Sequence, residues 1–313
     1  MLDTIDNNDN QVCLEVEDND QFEWIRTLGT GGFATVDLVQ NKKTKKQLAL
    51  KRIKHSFINS KEEAKKQVQN EVDILEKCTK SPFVVKYYGS IVTKISLIFL
   101  LEPCLAGDLW SVMQRNGVFS DSSAKFYTAC VVEGLRYLTS LAIMYRDIKP
   151  ENLLLDTNGY VKIADLGFSK ILPENGRTHT VVGTAEYLSP EMLSNKGYDQ
   201  TSTLWSLGIL IYEMLTGCPP FTADDQKTLF SKICLGFRSF PFPSYLSSNA
   251  VELIMMLCRG KPSQRPGLGT VTKYLWFSGL DWDSLRKETL EAPYVPELEE
   301  ITLDEDSCEF EGF

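Results

Sequence analysis

The sequence has no long apolar run and no paired cysteines. Its 313 residues contain no stretch approaching the roughly 20 apolar residues that span a membrane. The first 25 residues contain neither lysine nor arginine, so the charged start of a secretory signal peptide is missing. The eight cysteines are scattered singly, without a C-x-x-C pair, which argues against a disulfide framework and a thiolate metal site. We therefore expect a cytoplasmic protein without a membrane segment.

Basic residues are scarce at both ends of the chain. Residues 1–20 carry a net charge of −7 and residues 281–313 one of −10, whereas residues 21–280 carry +8. A mildly basic middle suits an anionic small ligand. The chain has neither a recognition helix rich in arginine and lysine nor an aromatic ladder, so we expect no nucleic-acid partner.

The hydrophobic pattern changes class along the chain. Short apolar runs separated by glycine and turn residues fill residues 21–101 and predict strands, among them one at 84–88. One helix interrupts them, and its predicted apolar face consists of Ala64, Val68, Val72 and Leu75. Helical spacing dominates the next part, with predicted helices at 124–138, 204–215 and 250–258. The sequence therefore predicts an α+β fold with two lobes and a ligand site in the cleft between them.

Four segments follow from this pattern and from the charges. They are an acidic flexible arm at 1–20, a sheet-rich lobe at 21–101, a larger helical lobe at 102–280 with a hinge at 102–107, and an acidic tail at 281–313. The tail loses its periodicity after Trp282 and is rich in acids. We expect it either to lie over the body or to be loose.

A glycine-rich stretch, Gly29–Val36, lies between two predicted strands. Its backbone amides can fold over a phosphate with no side chains between them. A dinucleotide-binding fold would place such glycines before a helix, and the strand that follows here argues against that fold. Taken alone, the stretch is equally typical of a plain glycine-rich hairpin.

Lys51 lies at the end of an apolar predicted strand, where burial of an unpaired ammonium would cost several kcal/mol. Glu71 lies beside the apolar face of the predicted helix and is the candidate partner. Such a pair would hold the ammonium ready for phosphate oxygens. The alternative is an edge-strand lysine that extends its charge into solvent.

The stretch Tyr145–Asn152 is followed closely by Asp165–Gly167. These two stretches contain Asp147, Asn152 and Asp165, which are candidate metal or proton ligands in a segment dense in β-branched residues and leucine. A phosphoryl-transfer site requires such a set. Together with the glycine-rich stretch and the lysine, these signatures resemble the eukaryotic protein kinases over roughly residues 21–280.

Finer motifs narrow the resemblance. Gly183–Glu191, and Trp276–Phe277 with Asp281–Trp282, resemble the cyclic-nucleotide-dependent branch of the AGC serine/threonine kinases. Thr27–Phe33 and Leu100–Ser111 are most similar to the catalytic domains of cyclic-GMP-dependent protein kinases. The resemblance implies a bilobal protein kinase fold, in which the sheet-rich and helical lobes are the kinase N-lobe and C-lobe, followed by an AGC-type C-terminal tail.

The resemblance also implies ATP as co-substrate and Mg²⁺ as cofactor. Asp147 would accept the proton of the substrate hydroxyl, a role that suits an unpaired carboxylate. Asn152 and Asp165 would hold Mg²⁺, which prefers oxygen ligands. Lys51, paired with Glu71, would contact the α- and β-phosphates.

Further roles follow from the same resemblance. Lys149, supported by Thr184, would reach the γ-phosphate and is typical of serine/threonine specificity. The residues expected to bind ATP are Leu28, Gly29, Gly31, Gly32, Phe33, Val36, Ala49, Lys51, Glu102, Cys104 and Asp108.

The segment before Thr184 is expected to carry the activating phosphate. Thr180 is the candidate acceptor, with Arg146 and Lys170 as its positive partners. The alternative is an ordinary loop threonine. Substrates are expected to be proteins with basic residues upstream of the phosphorylated serine or threonine. Their expected contacts are Asp108, Glu151 and Glu213 for the basic residues, and Val181, Ala185 and Leu188 for an apolar residue after the acceptor.

Two departures from the family raise an alternative function. Ala34 replaces the third loop glycine, which is tolerated if that position does not need a positive φ. Thr203 replaces an aspartate that hydrogen-bonds the catalytic-loop backbone, so a neutral hydroxyl stands where a charged acceptor is usual. The alternative is therefore a weakened, pseudokinase-like scaffold. A small-molecule kinase is disfavoured, because Gly183–Glu191 resembles a platform for peptides.

The remaining expectations concern control and scaffold. Phe310–Phe313 resembles a terminal F-x-x-F motif that docks on the small lobe, the alternative being a disordered acidic end. The sequence contains no cyclic-nucleotide-binding domain, so a regulator, if one exists, is expected to be a separate chain. Glu191 and Arg265 resemble the buried ion pair of the family's C-lobe.

Overall fold

The computed structural model describes residues 12–15 by their backbone, and residues 21–32, 34–173, 176–194, 196–238 and 240–295. The predictions for Phe33 and for the terminal motif at 310–313 lie outside these residues. The described chain forms two compact units. Unit 1 comprises the described residues of 12–79 and 86–103, and unit 2 comprises those of 80–85 and 104–295.

Unit 1 is built on a six-stranded sheet. The strands are β1 (Val12–Glu15), β2 (Phe22–Thr30), β3 (Ala34–Asn41), β4 (Gln47–Lys54), β5 (Tyr87–Val92) and β6 (Ser96–Leu101). Their order is β1-β5-β6-β4-β3-β2, and all neighbours are antiparallel except β1 and β5. β1 lies within the predicted flexible arm at 1–20. Its main chain pairs with the edge of β5, an interaction that charge composition does not signal.

One hydrophobic cluster of the core of unit 1 lies on one face of this sheet. It consists of Val39, Leu48, Leu50, Ile91, Ile98 and Leu100, with Phe22 and Tyr88 packed against it. The turn between β3 and β4 is closed by Asn41, whose side-chain oxygen accepts hydrogen bonds from the backbone N–H groups of Lys43 and Thr44 at 3.0 and 2.9 Å. This side chain mimics a backbone turn and sets the register of the two strands.

The strand predicted at 84–88 is wrong in its position. β5 begins only at Tyr87. Val84 and Val85 belong to unit 2, where Val84 bridges Ile163 and the Val85 N–H donates to the Ile163 carbonyl at 2.9 Å. The β-branched pair is buried as expected, but burial alone does not identify the partner strand.

The long helix of unit 1 confirms the predicted amphipathic segment. A single turn, α1 (His55–Ile58), precedes the long helix α2 (Glu62–Lys77). Its buried residues are Ala64, Val68, Glu71, Ile74 and Leu75. Ile74 therefore takes the place that the periodicity assigned to Val72, which is half-buried. The burial of Glu71 brings a carboxylate into the apolar face, where it needs a partner.

Unit 2 is mainly helical. Its helices are α3 (Leu109–Asn116), α4 (Asp121–Ser140), α5 (Pro190–Leu193), α6 (Thr201–Thr216), α7 (Gln226–Leu235), α8 (Ser248–Leu257), α9 (Leu268–Val271) and α10 (Trp282–Arg286). The predicted helices at 124–138, 204–215 and 250–258 are confirmed as α4, α6 and α8. Every residue of α6 from 202 to 215 is buried, as expected of a core helix that is apolar on all sides.

Two short antiparallel strand pairs of unit 2 position the candidate site. β8 (Leu153–Leu155) pairs with β9 (Val161–Ile163), and β7 (Ile143–Met144) pairs with β10 (Lys170–Ile171). β7 ends just before the predicted catalytic stretch, β8 begins directly after Asn152, and β9 ends two residues before Asp165. The strand pairs therefore anchor both ends of the loops that carry the predicted ligands.

The first part of the predicted tail lies on unit 2. This is the first of the two arrangements expected for it, in which the tail lies over the body. The hydroxyl of Tyr160 donates to the carbonyl of Leu290 at 2.8 Å. A Cβ at Gly159, whose φ is +81°, would clash with the carbonyl oxygen of Tyr294. Glycine is needed at this position because of both the φ and the close approach. Among the described residues, no helix is both long and apolar enough to cross a membrane.

Candidate active site

Lys51 and Glu71 form an ion pair within unit 1. The Lys51 Nζ lies 2.6 Å from the Glu71 Oε1, and the two side chains are 15% and 7% exposed. Lys51 is on β4, which lies between β3 and β6. The alternative of an edge-strand lysine is therefore wrong. The pair joins strand to helix and satisfies the carboxylate that α2 buries.

The glycine-rich stretch forms the turn between β2 and β3. The Gly31 N–H donates to the Ala34 carbonyl at 2.9 Å. A Cβ at Gly29 or Gly32 would meet no atom within 4 Å, and none of these glycines has a positive φ. The described chain itself therefore does not require glycine at these positions. Ala34 also lacks a positive φ, which meets the condition under which its extra methyl is tolerated.

The predicted apolar contacts of the nucleotide lie near Lys51 on the sheet. Val36 is the register partner of Lys51, and Ala49 lies two residues before it, so all three share one face. Ala49 is buried, whereas Leu28 and Val36 are half-buried.

Asp147 is buried at the centre of a hydrogen-bond network in unit 2. Its Oδ1 accepts from the backbone N–H and the hydroxyl of Thr184 at 2.9 and 2.8 Å. Its Oδ2 accepts from the Asn152 Nδ2 at 2.8 Å and lies 3.4 Å from the Lys149 Nζ. The expectation of an unpaired carboxylate is therefore wrong. A buried charge without partners would be costly, and the surrounding donors hold it in one orientation.

Hydrogen bonds fix Asn152 and the residue before Asp165 at the predicted metal site. Asn152 donates from Nδ2 to both the carbonyl and the carboxylate of Asp147, at 2.9 and 2.8 Å, so its amide oxygen is the atom suited to a metal. Asp165 is exposed and has a φ of +50°. The Tyr145 hydroxyl donates to the carbonyl of Ala164, directly before Asp165, at 2.8 Å.

Burial raises the pKa of Tyr145 well above its ordinary value, and the negative charges of Asp165 and Asp147 raise it further, against a hydrogen bond to Asn152 that lowers it. The pKa of this one hydroxyl therefore depends on all three predicted ligands. It remains a neutral donor at any physiological pH.

Of the predicted hinge and ribose residues, Glu102 belongs to unit 1, and Cys104 and Asp108 belong to unit 2. Glu102, in unit 1, donates its backbone N–H to the Lys86 carbonyl at 2.8 Å, and Cys104 is the buried first residue of the longer stretch of unit 2. The carboxylate of Asp108 caps α3 and accepts from the N–H and hydroxyl of Ser111 at 2.7 and 3.0 Å. Asp108 therefore has a structural role that the sequence analysis did not assign.

The structure brings Thr180 into contact with one of its two predicted cations, Arg146, whereas Lys170 contacts Thr178. The Arg146 Nη1 donates to the Thr180 carbonyl at 3.4 Å and to the Tyr198 hydroxyl at 3.1 Å, and Tyr198 also donates to that carbonyl. The Lys170 Nζ donates to the Thr178 hydroxyl at 2.9 Å. The side chain of Thr180 is exposed, so a modifying enzyme can reach it.

The predicted substrate acid Glu213 belongs to a cluster of three glutamates. Its carboxylate accepts a hydrogen bond from the buried Tyr187 hydroxyl. Burial raises the pKa of Glu213, the Tyr187 hydrogen bond opposes this, and the charges of Glu151 and Glu186 raise it further. Glu186 was missed by the sequence analysis, although it lies within the quoted 183–191 motif. Neighbouring negative charges raise the pKa of a carboxylate, and a bound cation offsets those charges.

The predicted apolar substrate contacts differ in exposure. Val181 is 48% exposed and Ala185 is half-buried. Leu188 is buried and packs with Met144, Met192 and Tyr198. Leu188 is therefore part of the core, and only its edge can form the floor of a surface pocket.

Two predicted scaffold features are also placed. Glu191 and Arg265 form a two-pronged pair at 2.5 and 2.8 Å, and the Arg265 side chain is fully buried. Thr203 donates its hydroxyl to the Tyr145 carbonyl at 3.1 Å. Thr203 was expected to be a weaker acceptor, whereas its observed bond to the backbone of the predicted catalytic loop is that of a donor.

Comparison with known proteins agrees with this geometry. A family model described as "Protein kinase domain" matches residues 22–277. The chain is 41% identical over 92% of its length to "cGMP-dependent protein kinase, isozyme 2 forms cD5/T2" of Drosophila melanogaster. It is 41% identical over 88% of its length to "cGMP-dependent protein kinase 2" of Homo sapiens. The chain spans 31% and 37% of the lengths of these two relatives, about a third of each.

Proposed function

The chain belongs to the protein kinase family, and on that basis we propose that it transfers the γ-phosphate of ATP to serine and threonine hydroxyls of proteins. Membership confirms the kinase fold and the enzyme class predicted from the motifs. The similarity confirms the predicted likeness to AGC-type, cyclic-GMP-dependent catalytic domains. The family match is the finding, and the phosphotransfer activity is what we propose from it.

The observation that carries the proposal is the arrangement around Asp147. Thr184 occupies its Oδ1 with two donors, whereas Oδ2 accepts one hydrogen bond from Asn152 and a long contact from Lys149. Oδ2 is thus the oxygen with acceptor capacity for an incoming hydroxyl. Asp147 would orient that hydroxyl and take its proton.

The residues present fit ATP with Mg²⁺. Asn152 directs both of its described donor contacts to Asp147, which leaves an amide oxygen for a cation, and Asp165 is an exposed carboxylate. Both are hard oxygen donors of the kind that Mg²⁺ prefers. Bound Mg²⁺ would offset the negative charge of the phosphates. Lys51, held by Glu71, would contact the α- and β-phosphates. Gly29, Gly31 and Gly32 have no side chains that would keep the phosphates away from their backbone.

The remaining nucleotide contacts would be apolar side chains and hinge backbone. We assign the adenine surroundings to Leu28, Val36 and Ala49, the hinge groups to Glu102 and Cys104, and the ribose neighbourhood to Asp108. Asp108 fits this role through the acceptor capacity left beside its bonds to Ser111.

Serine and threonine specificity follows from Lys149. Its ammonium lies beside the Asp147 carboxylate, from which it can reach the γ-phosphate, and Thr184 fixes the opposite oxygen. Such a lysine is typical of the serine/threonine kinases.

Preference for basic substrates follows from the cluster of Glu151, Glu186 and Glu213. The pKa of Glu213 is raised first by burial and further by the charges of Glu151 and Glu186, and a bound arginine or lysine would offset those charges. Asp108 would add a further acid, and Val181 and Ala185, with Leu188 beneath, would accept an apolar residue after the phosphoacceptor.

Activation would require phosphate on Thr180. Arg146 already contacts the Thr180 backbone, and Lys170 contacts Thr178 two residues away. A phosphate at this position would gain charge-assisted hydrogen bonds and order the segment. Control by a separate regulatory chain and a cytoplasmic location remain predictions.

The alternative function, a scaffold without activity, rests on Ala34 and Thr203. Ala34 adopts a backbone that needs no glycine, and Thr203 keeps a hydrogen bond to the catalytic-loop backbone. These two observations favour the active kinase.

The deciding experiment is transfer of labelled γ-phosphate from MgATP to a peptide library, followed by phosphoamino-acid analysis. We expect phosphoserine and phosphothreonine without phosphotyrosine, in peptides with arginine or lysine upstream of the acceptor. Absence of transfer, with MgATP still bound, would support the scaffold. Selection of acidic or proline-directed peptides would contradict the assigned role of the three glutamates.

A further inference from the structure

An open cavity of about 380 Å³ lies on unit 2, outside the proposed catalytic residues. Three parts of the chain meet there: the segment 80–83, the helix α4 and the end of α10. Its lining includes Lys80, Phe83, Glu133, Arg136, Tyr137 and Arg286. None of these residues has a role in the proposed phosphoryl transfer.

Positive charge predominates in this lining. Lys80, Arg136 and Arg286 each contribute one positive charge, and Glu133 is the one acid among the lining residues. The cations come from three separate parts of the chain, so their convergence is a product of the fold. An anion in the cavity would face cations from several directions.

Glu133 orients the two arginines without using all of their donors. Its Oε1 lies 2.9 Å from the Arg136 Nη1 and 3.1 Å from the Arg286 Nη2. Arg286 also contacts Asp283 at 3.0 Å. A guanidinium carries N–H donors on all three of its nitrogens, so both arginines retain donors for a ligand. The side chain of Glu133 is 10% exposed, whereas each arginine is 40% exposed.

Lys80 is the third cation of the lining. Its backbone N–H donates to the Tyr137 hydroxyl at 3.1 Å, which ties the segment to the helix. Lys80 is exposed, and within the described residues its ammonium makes no hydrogen bond or ion pair. It is thus a further positive charge of the lining that is open to a ligand.

We propose that this cavity binds the phosphate of a phosphorylated serine or threonine side chain on another protein. Two guanidinium forks and an ammonium match a phosphate dianion, because arginine binds phosphate oxygens in pairs and lysine adds a point charge. A carboxylate carries less charge and would be repelled by Glu133 with less compensation. The site would recognise proteins that are already phosphorylated, and it would do so independently of the catalytic residues.

The test is fluorescence anisotropy with the full chain, without ATP, at low salt. The probe is a labelled phosphoserine peptide that contains no lysine or arginine, so the acidic substrate cluster does not attract it. The same peptide with unmodified serine is the reference. We expect the phosphopeptide to bind at least about tenfold more tightly than the reference, and added salt to weaken it. Competition by inorganic phosphate separates recognition of a modified side chain from binding of free phosphate.

The variants are Lys80→Gln and Arg286→Gln, with Lys287→Gln as matched control. Lys287 is exposed and directly follows Arg286, but it does not line the cavity. Each cavity variant should weaken phosphopeptide binding about tenfold, as expected for one lost charge-assisted contact, and Lys287→Gln should leave it unchanged. Because Lys80→Gln removes no described ion pair, its effect cannot come from rearrangement of the ion pairs that line the cavity. Equal binding of both peptides, equal loss in the Lys287 control, or displacement by an equal concentration of inorganic phosphate would overturn the proposal.

Discussion

The two units hold their functional side chains in different ways. In unit 1, the ammonium of Lys51 is fixed by an ion pair that joins a strand to a helix. In unit 2, the carboxylate of Asp147 accepts hydrogen bonds from Thr184 and Asn152, two residues on different loops of the same unit. A shift of α2 would therefore displace the carboxylate that holds Lys51. Displacement of Asp147 requires the surrounding loops to unfold.

Activity can therefore be adjusted through the support of Lys51 in unit 1, whereas the support of Asp147 is part of the folded structure of unit 2. The support of Lys51 depends on the position of one helix relative to its sheet. The support of Asp147 depends on several hydrogen bonds between loops anchored by short antiparallel strand pairs. Substitutions that affect one unit or the other should consequently differ in whether they change turnover or folding stability.

The largest effect is expected at Lys51 itself. Lys51→Met removes the ammonium that we propose binds phosphate and should lower kcat/KM about 10²–10³-fold, the usual loss when one electrostatic donor to a reacting group is removed. Steady-state kinetics with a basic peptide measure it. Lys54→Met, at the exposed end of the same strand, is the control and should retain wild-type kinetics. A Lys51→Met enzyme close to wild type would show that unit 1 does not contribute through this lysine.

The next effect concerns the stability of unit 2. Glu191→Gln breaks a pair whose arginine side chain is fully buried and should lower the free energy of unfolding by about 3 kcal/mol. Urea denaturation at pH 7 measures the loss. Glu252→Gln, at an exposed position of α8, should have no comparable effect.

The same pair predicts a pH dependence. Burial raises the pKa of Glu191, but the hydrogen bonds and charge of Arg265 and the hydrogen bond of Ser202 outweigh it, so the pKa lies below its ordinary value of 4.5. A carboxyl with a lowered pKa stabilises the folded state above its unfolded pKa and loses that contribution as pH falls through the folded one. The stability difference between wild type and Glu191→Gln should therefore be constant near neutrality and shrink below about pH 4.5. A difference that grows on acidification would contradict this account.

A smaller effect is expected at Thr180. Thr180→Ala cannot carry the phosphate that Arg146 and Lys170 would bind, and it should lower kcat/KM roughly tenfold. Thr180→Ser keeps the hydroxyl and should remain activatable. Kinetics after treatment with an activating kinase, with mass spectrometry of the phosphosite, measure both. Turnover of the alanine variant equal to wild type would leave Thr180 as an ordinary loop residue.

The smallest effect is expected at Thr203. Thr203→Val removes its hydrogen bond to the Tyr145 carbonyl and leaves a buried acceptor without that donor, at a cost of about 1 kcal/mol. We expect kcat to fall only a few-fold, roughly in proportion to that cost. Thr203→Ser should retain wild-type activity. Equal losses in the valine and serine variants would show that packing, rather than the hydroxyl, matters here.

The sequence predicted best what depends on local spacing. The amphipathic face of α2 and the apolar strand that carries Lys51 were legible as patterns, and the pairing of Lys51 with Glu71 was predicted from them. That strand, β4, continues to Lys54 and does not end at Lys51 as predicted. The helices α4, α6 and α8 were legible for the same reason. The kinase motifs placed Asp147, Asn152 and Asp165 in short loops, where chain connectivity limits the distances between them.

The predictions that failed depend on contacts distant in sequence. Val84 and Val85 are buried as their side chains indicate, but their partner, Ile163, lies about 80 residues away. Asp147 was expected to be unpaired, and one of its donors, Thr184, follows 37 residues later, although another, Asn152, is nearby in sequence. The donor role of Thr203 was missed in the same way, since it depends on the position of the Tyr145 carbonyl.

The central claim is that Asp147 serves as the proton acceptor of a phosphotransferase, and Asp147→Asn tests it most directly. The substitution keeps the side chain's shape and an oxygen for Thr184 but removes the carboxylate. Initial rates of phosphate transfer from MgATP to a basic peptide should fall by about 10²–10⁴-fold, with MgATP affinity within a few-fold of wild type. An Asp147→Asn protein that transfers phosphate at the wild-type rate would contradict the account.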